Sequence, residues 1–389
     1  MKRILSLAAV LLALAAGSAF SGEEAEVYRR IYLEAEGLSQ KYAAAQNLVR
    51  LDDRSTAPVL AEALEELLRT QNSYKDASEK ELYARTVRML AAALGDYKHE
   101  ESAAFLWDVV EEVSEPLAKA EALVALGKMR ALAYAERISL MLRDLNMGPT
   151  ADRDSGEKVA YGCVVALEKL KDPRGFPPVF YAADGWYSQR VRQQAERALP
   201  NILADPTDAI KELLRLESPE RKVLALRLNA SSRASVERKT EAAALALALG
   251  HEKAARDKAE ARVMADLRKL ALRSLVAYKA RGAEAVPATA ASYENGYDIE
   301  ERLLALSALG ANGGDAAATA LRDVILKLDR EQKAGVADET RNRLAKAAIE
   351  NAGASKNRTL RPALVAVASN DKWSGGIILA AQNAVKEIP

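Results

Sequence analysis

The side chains best suited to chemistry are few. The chain carries two histidines, His99 and His251, and one cysteine, Cys163. A zinc site or a metalloprotease motif needs such residues grouped, as in HExxH or paired CxxC strings. Neither histidine belongs to such a group. His99 lies in "DYKHEES", a turn-like stretch, and His251 lies in "ALGHEKA", near a helix end. Both are expected to be solvated. A Ser-His-Asp arrangement would draw on residues about 150 positions apart, which the sequence neither supports nor excludes. Cys163 sits in "YGCVVALEKL" on an apolar helix face. Burial is therefore expected for it, and a buried thiol is inert. With a single cysteine no intramolecular disulfide exists, so stability must come from packing.

Carboxylate pairs such as Asp52-Asp53 and Glu111-Glu112 are abundant, but helix caps and solvated helix faces account for them. "GANGGD" at 310–315 has the glycines of a phosphate loop without its Lys-Ser/Thr ending or a preceding strand. It reads as an inter-helix turn, as does "SYENGYD" at 292–298, with Asn295-Gly296 at its tip. No catalytic residue, metal ligand or cofactor is expected, and the chain is not expected to be an enzyme.

The elements that would position any site are helical. Of 389 residues 49% are hydrophobic but only 5% aromatic, with alanine and leucine carrying the apolar content. That mixture favours helix. Basic and acidic residues balance at 56 and 55, which gives no global pull toward nucleic acid or an anionic membrane. The beginning reads as a leader: basic "MKR", a 13-residue apolar run "ILSLAAVLLALAA", then small residues. Cleavage is expected after Ser21, with Ala19 the alternative. A span needs roughly 20 apolar residues, and no later segment supplies them. The expectation is a signal peptide over 1–21 and a mature chain exported to a bacterial periplasm, or secreted, with no membrane span.

One string recurs. "KAEALVAL" (119–126), "RQQAERAL" (192–199), "RKLALRSL" (268–275) and "RLLALSAL" (302–309) share a basic start, alanine at plus three, a small residue at plus six and leucine at plus seven. Positions zero, plus three and plus seven share one helix face. The small side chains admit a neighbouring helix, and the leucine fills the remaining gap. The copies start 73, 76 and 34 residues apart, so weaker ones belong in the long steps. These are "AAQNLVRL" (44–51), "VRMLAAAL" (87–94), "CVVALEKL" (163–170), "RKVLALRL" (221–228) and the degenerate "RNRLAKAAI" (341–349). Glycine or a polar step is expected to end each such helix. Asp53, Asp96 and Asp172, two residues past the leucine, are expected to cap the next helix, and Pro58 and Pro177 suit a first turn. The result is nine antiparallel helix pairs of about 33–45 residues and a closing helix at 374–389. Irregular spacing and absent aromatics exclude a tetratricopeptide array. At 229–266 the boundaries blur.

"VRQQAERAL", "ERLLALSAL", "ALGD" and "DPRGFPPVF" make the chain resemble the HEAT-repeat family, including its bacterial lyase-type variants. The resemblance spans nearly all of residues 22–389. It implies an all-α solenoid, with the string-bearing helices on the concave face. It also implies that the basic residue opening each string, Lys119, Arg192, Arg268 and Arg302, stitches repeats by bonding acidic groups in neighbouring turns.

Charge is uneven along this rod. Residues 22–121 hold 21 acidic and 12 basic side chains, and residues 215–281 hold 8 acidic and 16 basic. Solvated faces account for this equally well as function does. On the functional side, Arg221, Lys222, Arg227, Arg268, Lys269 and Arg273 would form a partner-binding patch for an acidic protein. Nucleic acid is a poor partner for an exported chain, and the patch lacks interleaved aromatics. Trp107, Trp186 and Trp373 would be stacking platforms for an envelope polymer such as peptidoglycan if exposed, but their apolar neighbours point to the core. The leading expectation is a non-catalytic scaffold binding a protein along its concave face. The alternatives are an accessory lyase-type enzyme and a polymer binder.

Overall fold

A computed structural model describes residues 23–336 and 338–389. The expected signal peptide lies outside the described residues. The architecture is all-α, and no strand occurs among the described residues. Helix α1 covers residues 23–34. It is followed by α2 (Leu38–Arg50), α3 (Ala57–Thr70), α4 (Ala77–Tyr97), α5 (Ala103–Glu112), α6 (Pro116–Met129), α7 (Ala135–Asn146), α8 (Arg153–Leu170), α9 (Phe176–Ala183) and α10 (Gln189–Ile202). Then come α11 (Thr207–Leu216), α12 (Pro219–Ser231), α13 (Val236–Glu252), α14 (Lys258–Tyr278), α15 (Val286–Asn295), α16 (Ile299–Asn312), α17 (Asp315–Lys333), α18 (Glu339–Ser355), α19 (Arg361–Ala368) and α20 (Gly375–Glu387). The described residues form two compact units that divide between Leu203 and Ala204.

Every copy of the recurring string falls in an even-numbered helix, from α2 to α18. In the first unit α2, α4, α6, α8 and α10 touch in chain order, and in the second α12, α14, α16, α18 and α20 do so. The odd helices form a second row in each unit. This is an α-solenoid of stacked antiparallel pairs. The small and leucine positions explain it: Ala122, Ala125, Leu126, Ala195, Ala198, Leu199, Ala305 and Leu309 are all buried. Each such leucine contributes about 1.5–3 kcal/mol on burial. The even row packs more closely than the odd row in both units.

Helix ends depart in part from expectation. Asp53 and Asp172 do cap, accepting from Ser55 N and Arg174 N at 2.9 Å each. Asp96 does not, because α4 runs on to Tyr97; its carboxylate instead meets Lys128 Nζ at 2.8 Å. The glycines of "ALGD" and "ALGKM" also do another job. Gly95 and Gly127 lie inside their helices, and a Cβ on either would come within 2.7 Å of Ala125 or Ala166 on the next even helix. They permit close backbone approach. The stop one turn later is a left-handed cation: Lys98, Arg130, Lys171, Lys279 and Lys356 have φ between 49° and 58°. At α4, α6 and α14 a paired bond closes the end, for example Lys98 N to Gly95 O and His99 N to Leu94 O. A cation there also favours the negative helix end, offsetting part of the left-handed cost of about 1–2 kcal/mol.

The stretch 229–266 contains the end of α12, all of α13 and the start of the 21-residue α14. It is an ordinary pair with a four-residue link, residues 232–235, followed by a longer helix.

Candidate functional site

The groups with catalytic chemistry are engaged in holding helices. Neither histidine is solvated as expected. His99 Nδ1 lies 2.6 Å from Ser102 Oγ, and its Nε2 lies 3.4 Å from Glu101. His251 is half-buried at the end of α13, with Nε2 2.8 Å from Ser292 Oγ on α15. Burial, then the Arg268 guanidinium, holds its pKa below the ordinary histidine value. Cys163 is fully buried on α8, and burial pushes its thiol up to about 12. "GANGGD" is a turn in which Gly313 has φ 66° and Asn312 donates to the Ala280 and Gly282 carbonyls at 2.8 and 2.9 Å. Among the described residues no group of three or more His, Cys, Asp or Glu is placed to hold a metal ion.

The tryptophans form no exposed groove. Trp107 and Trp373 are buried. Trp373 donates its indole N–H to the buried Asp329 at 3.0 Å, and Asn370 donates to the same oxygen at 2.7 Å. Trp186 is half-buried, donating to the Leu145 carbonyl at 2.8 Å. Nothing here presents the stacking platforms that a polymer binder would use.

The basic patch in the second unit is dismantled by its own neighbours. Arg268 is only 9% exposed. Its Nε and Nη2 donate to the two Glu301 oxygens at 2.6 and 3.0 Å, and Nη1 donates to the Gly250 carbonyl at 2.9 Å. Glu301 also accepts from Tyr297 N at 2.9 Å. Lys269 meets Asp298 at 3.1 Å, Asp266 at 3.5 Å and Glu300 at 3.6 Å. Burial opposes its charge, yet these carboxylates hold its pKa above the usual lysine value. Arg273 pairs with Glu300, and Arg221 pairs with Glu217 at 3.1 Å. Lys222 is half-buried, and burial followed by Lys253 depresses its pKa. Arg227 is exposed. Thus Arg268 and Lys269 are drawn off an open surface patch, while Arg273 stays exposed in a surface ion pair with Glu300.

The expected stitching residues also divide. Arg268 bonds from α14 to α16, the stitching geometry. Lys119 reaches only a backbone carbonyl, that of Glu111, at 3.5 Å. Arg192 is exposed and Arg302 half-buried, and neither forms an ion pair. Other residues supply the links: Lys128 to Asp96 at 2.8 Å, Arg174 to Glu136 at 2.9 Å, Arg238 to Asp205 at 3.1 Å and Lys327 to Glu294 at 2.8 Å.

An open feature in the first unit was not read from the sequence. A cavity of about 880 Å³ is lined by the α3–α4 turn, α4, the end of α5 and the start of α6. A second of about 440 Å³ is lined by α4, α6, α8 and α10. Both are lined by Arg88 and Leu117, so the two adjoin along the N-terminal halves of the even helices and are treated together as a groove. Its broad end carries Lys75, Lys80, Arg85 and Arg88, with the Tyr74 and Tyr83 rings tilted against each other at 5.4 Å. Tyr83 is 7% exposed, and its buried hydroxyl has no hydrogen-bond partner. Burial, then Tyr74 and Glu112, pushes that hydroxyl up to about 12 and keeps it protonated. The narrow end has the apolar Leu117, Val124 and Val191, with the Arg190 guanidinium 4.8 Å from the Tyr161 ring centre.

No protein-family model matches this chain, and no curated protein matches it in sequence. Solved structures align with it at low overall similarity. Human deoxyhypusine hydroxylase in complex with glycerol is similar over 86% of this chain and 98% of that one, at 18% identity and TM-score 0.29. A chain from work on the phosphorylation-controlled interaction between cadherin and β-catenin covers 94% of this chain and 90% of itself, at 13% identity and TM-score 0.34. A circular tandem repeat protein with novel repeat topology covers 97% and 96%, at 14% identity and TM-score 0.23. Likeness at this level carries no argument about activity or partners.

Proposed function

We propose that the chain is a HEAT-like, non-catalytic scaffold that binds another protein along the even-helix face of its first unit. The observation that supports this is the pair of adjoining cavities over α4, α6, α8 and α10, which share Arg88 and Leu117. Together they are long and open, and mix apolar with charged lining. Such surfaces suit an extended segment of a partner better than a small molecule, which is usually held in a closed, mostly apolar pocket. The leader-like start adds that the scaffold works outside the cytoplasm, in a bacterial envelope.

The test is photo-crosslinking in the native cell, with benzophenone-alanine placed at Leu117 in the groove or at Leu140 on the odd-row helix α7. Both positions are exposed, at 38% and 42%. A discrete protein adduct at 117 and none at 140 is expected. Equal adducts at both sites, or none at 117, would remove the reading. N-terminal mass spectrometry of the same material tests export; a chain still starting at Met1 contradicts it.

A further inference from the structure

The charges lining the groove differ in how far the fold already uses them. Glu112 accepts from Gln71 at 3.0 Å, and Glu115 caps α6 by accepting from Leu117 N and Ala118 N at 3.0 and 2.7 Å. Asp154 is held by Lys158 at 2.6 Å, and Glu157 accepts from Ser188 N at 3.0 Å. Those carboxylates have partners on the protein. Lys75, Lys80, Arg85, Arg88 and Arg190 line the same groove, and none of them forms an ion pair with a described residue. The buried Tyr83 hydroxyl leaves a further donor without an acceptor. The lining holds as many carboxylates as cations, with Glu81 and Glu121 among them, but of the carboxylates only Glu81 lacks a hydrogen-bond or ion-pair partner among the described residues, against five of the six cations.

Resting on the scaffold reading, we propose that the groove takes an extended acidic segment of a partner protein. Its carboxylates lie against Lys75, Lys80, Arg85 and Arg88, and an apolar side chain lies between Leu117, Val124 and Val191. Lys75, Lys80 and Arg88 have no ion pair or hydrogen bond to break before a carboxylate arrives, Arg85 lies over the Tyr42 ring at 5.9 Å with its N–H edge still unpaired, and the apolar floor anchors register.

The experiment selects random 12-residue peptides displayed on phage against the full folded chain. The winning peptide is synthesised with a fluorophore and titrated by anisotropy. The expected winners are rich in Asp and Glu. Their binding weakens with salt, falls roughly tenfold or more in R85E/R88E and in the milder R85Q/R88Q, and is unchanged in R227E in the second unit. Circular dichroism melting of each variant confirms folding. Winners without acidic enrichment, or acidic winners indifferent to R85E/R88E and R85Q/R88Q, overturn the proposal. If non-acidic winners lose binding in Leu117→Asp, the acidic assignment falls while groove binding to protein stands. If the crosslink at 117 also fails, both fall.

Discussion

Two clusters of positive charge, one in each unit, are treated in opposite ways. In the second, Arg268, Lys269 and Arg273 on α14 all find carboxylates at the start of α16, and one of the pairs is buried. In the first, Lys75, Lys80, Arg85 and Arg88 stand around an open groove with no carboxylate paired to them. Charge counted along the chain pointed to the second unit; charge still available for a partner lies in the first. A cation matters for recognition only if folding has not already consumed it.

The largest effect expected from this contrast is on stability. Glu301→Ala leaves Arg268 buried without its carboxylate and should cost about 3–5 kcal/mol by chemical denaturation. The double change Arg268→Met with Glu301→Leu removes both charges and should recover most of that loss. Arg88→Ala should cost under about 0.5 kcal/mol in stability by the same measurement, because it has no internal partner to strand. If Glu301→Ala and Arg88→Ala prove alike, the contrast between the units is wrong.

Next in size is the close contact that aligns the even row. Gly127→Val drives a side chain into Ala166 and should cost about 1–3 kcal/mol or more in a denaturant midpoint. By contrast, Lys171→Gly relieves a left-handed residue and should stabilise by about 0.5–1 kcal/mol. A stabilising Gly127→Val would show that the even helices are not in backbone contact there.

A smaller effect concerns pH. His251 faces Ser292, Arg268 and Glu301, and its pKa is lowered on folding. The unfolded chain therefore holds the extra proton more readily. The neutral ring's contribution is complete above about pH 6.5 and is lost as pH falls below it toward the depressed folded value. His251→Gln should flatten that segment of the stability–pH curve, measured by urea titration between those limits. An unchanged slope would place the acid sensitivity elsewhere.

Much of the fold was legible because its information is local. Ala122, Ala125 and Leu126, and their counterparts in the three other close copies, mark a helix face by spacing alone, and those positions are buried, whereas Arg50, Lys169 and Arg227 in the weaker copies are exposed. The helix stops were less legible. Gly95 and Gly127 look like terminators in a single helix; only the neighbouring Ala125 and Ala166 reveal that they make room. The site was least legible, since an ion pair depends on two distant segments. The acids that neutralise α14 stand in "DIEE" at 298–301, about one repeat after "RK" at 268–269, and that offset was the available signal. The groove left no comparable mark, because an unpaired cation reads in sequence like any other. Where Tyr83 and Leu117 meet is likewise decided by how α4 lies on α6.

The contrast between the units is tested most directly by lysine footprinting of the free protein, tracking modification by an amine-reactive ester with mass spectrometry. Lys75 and Lys80 should be modified several-fold faster than Lys269, whose ammonium is held by Asp298, Asp266 and Glu300. Equal rates at the three lysines, or faster modification of Lys269, would contradict the account.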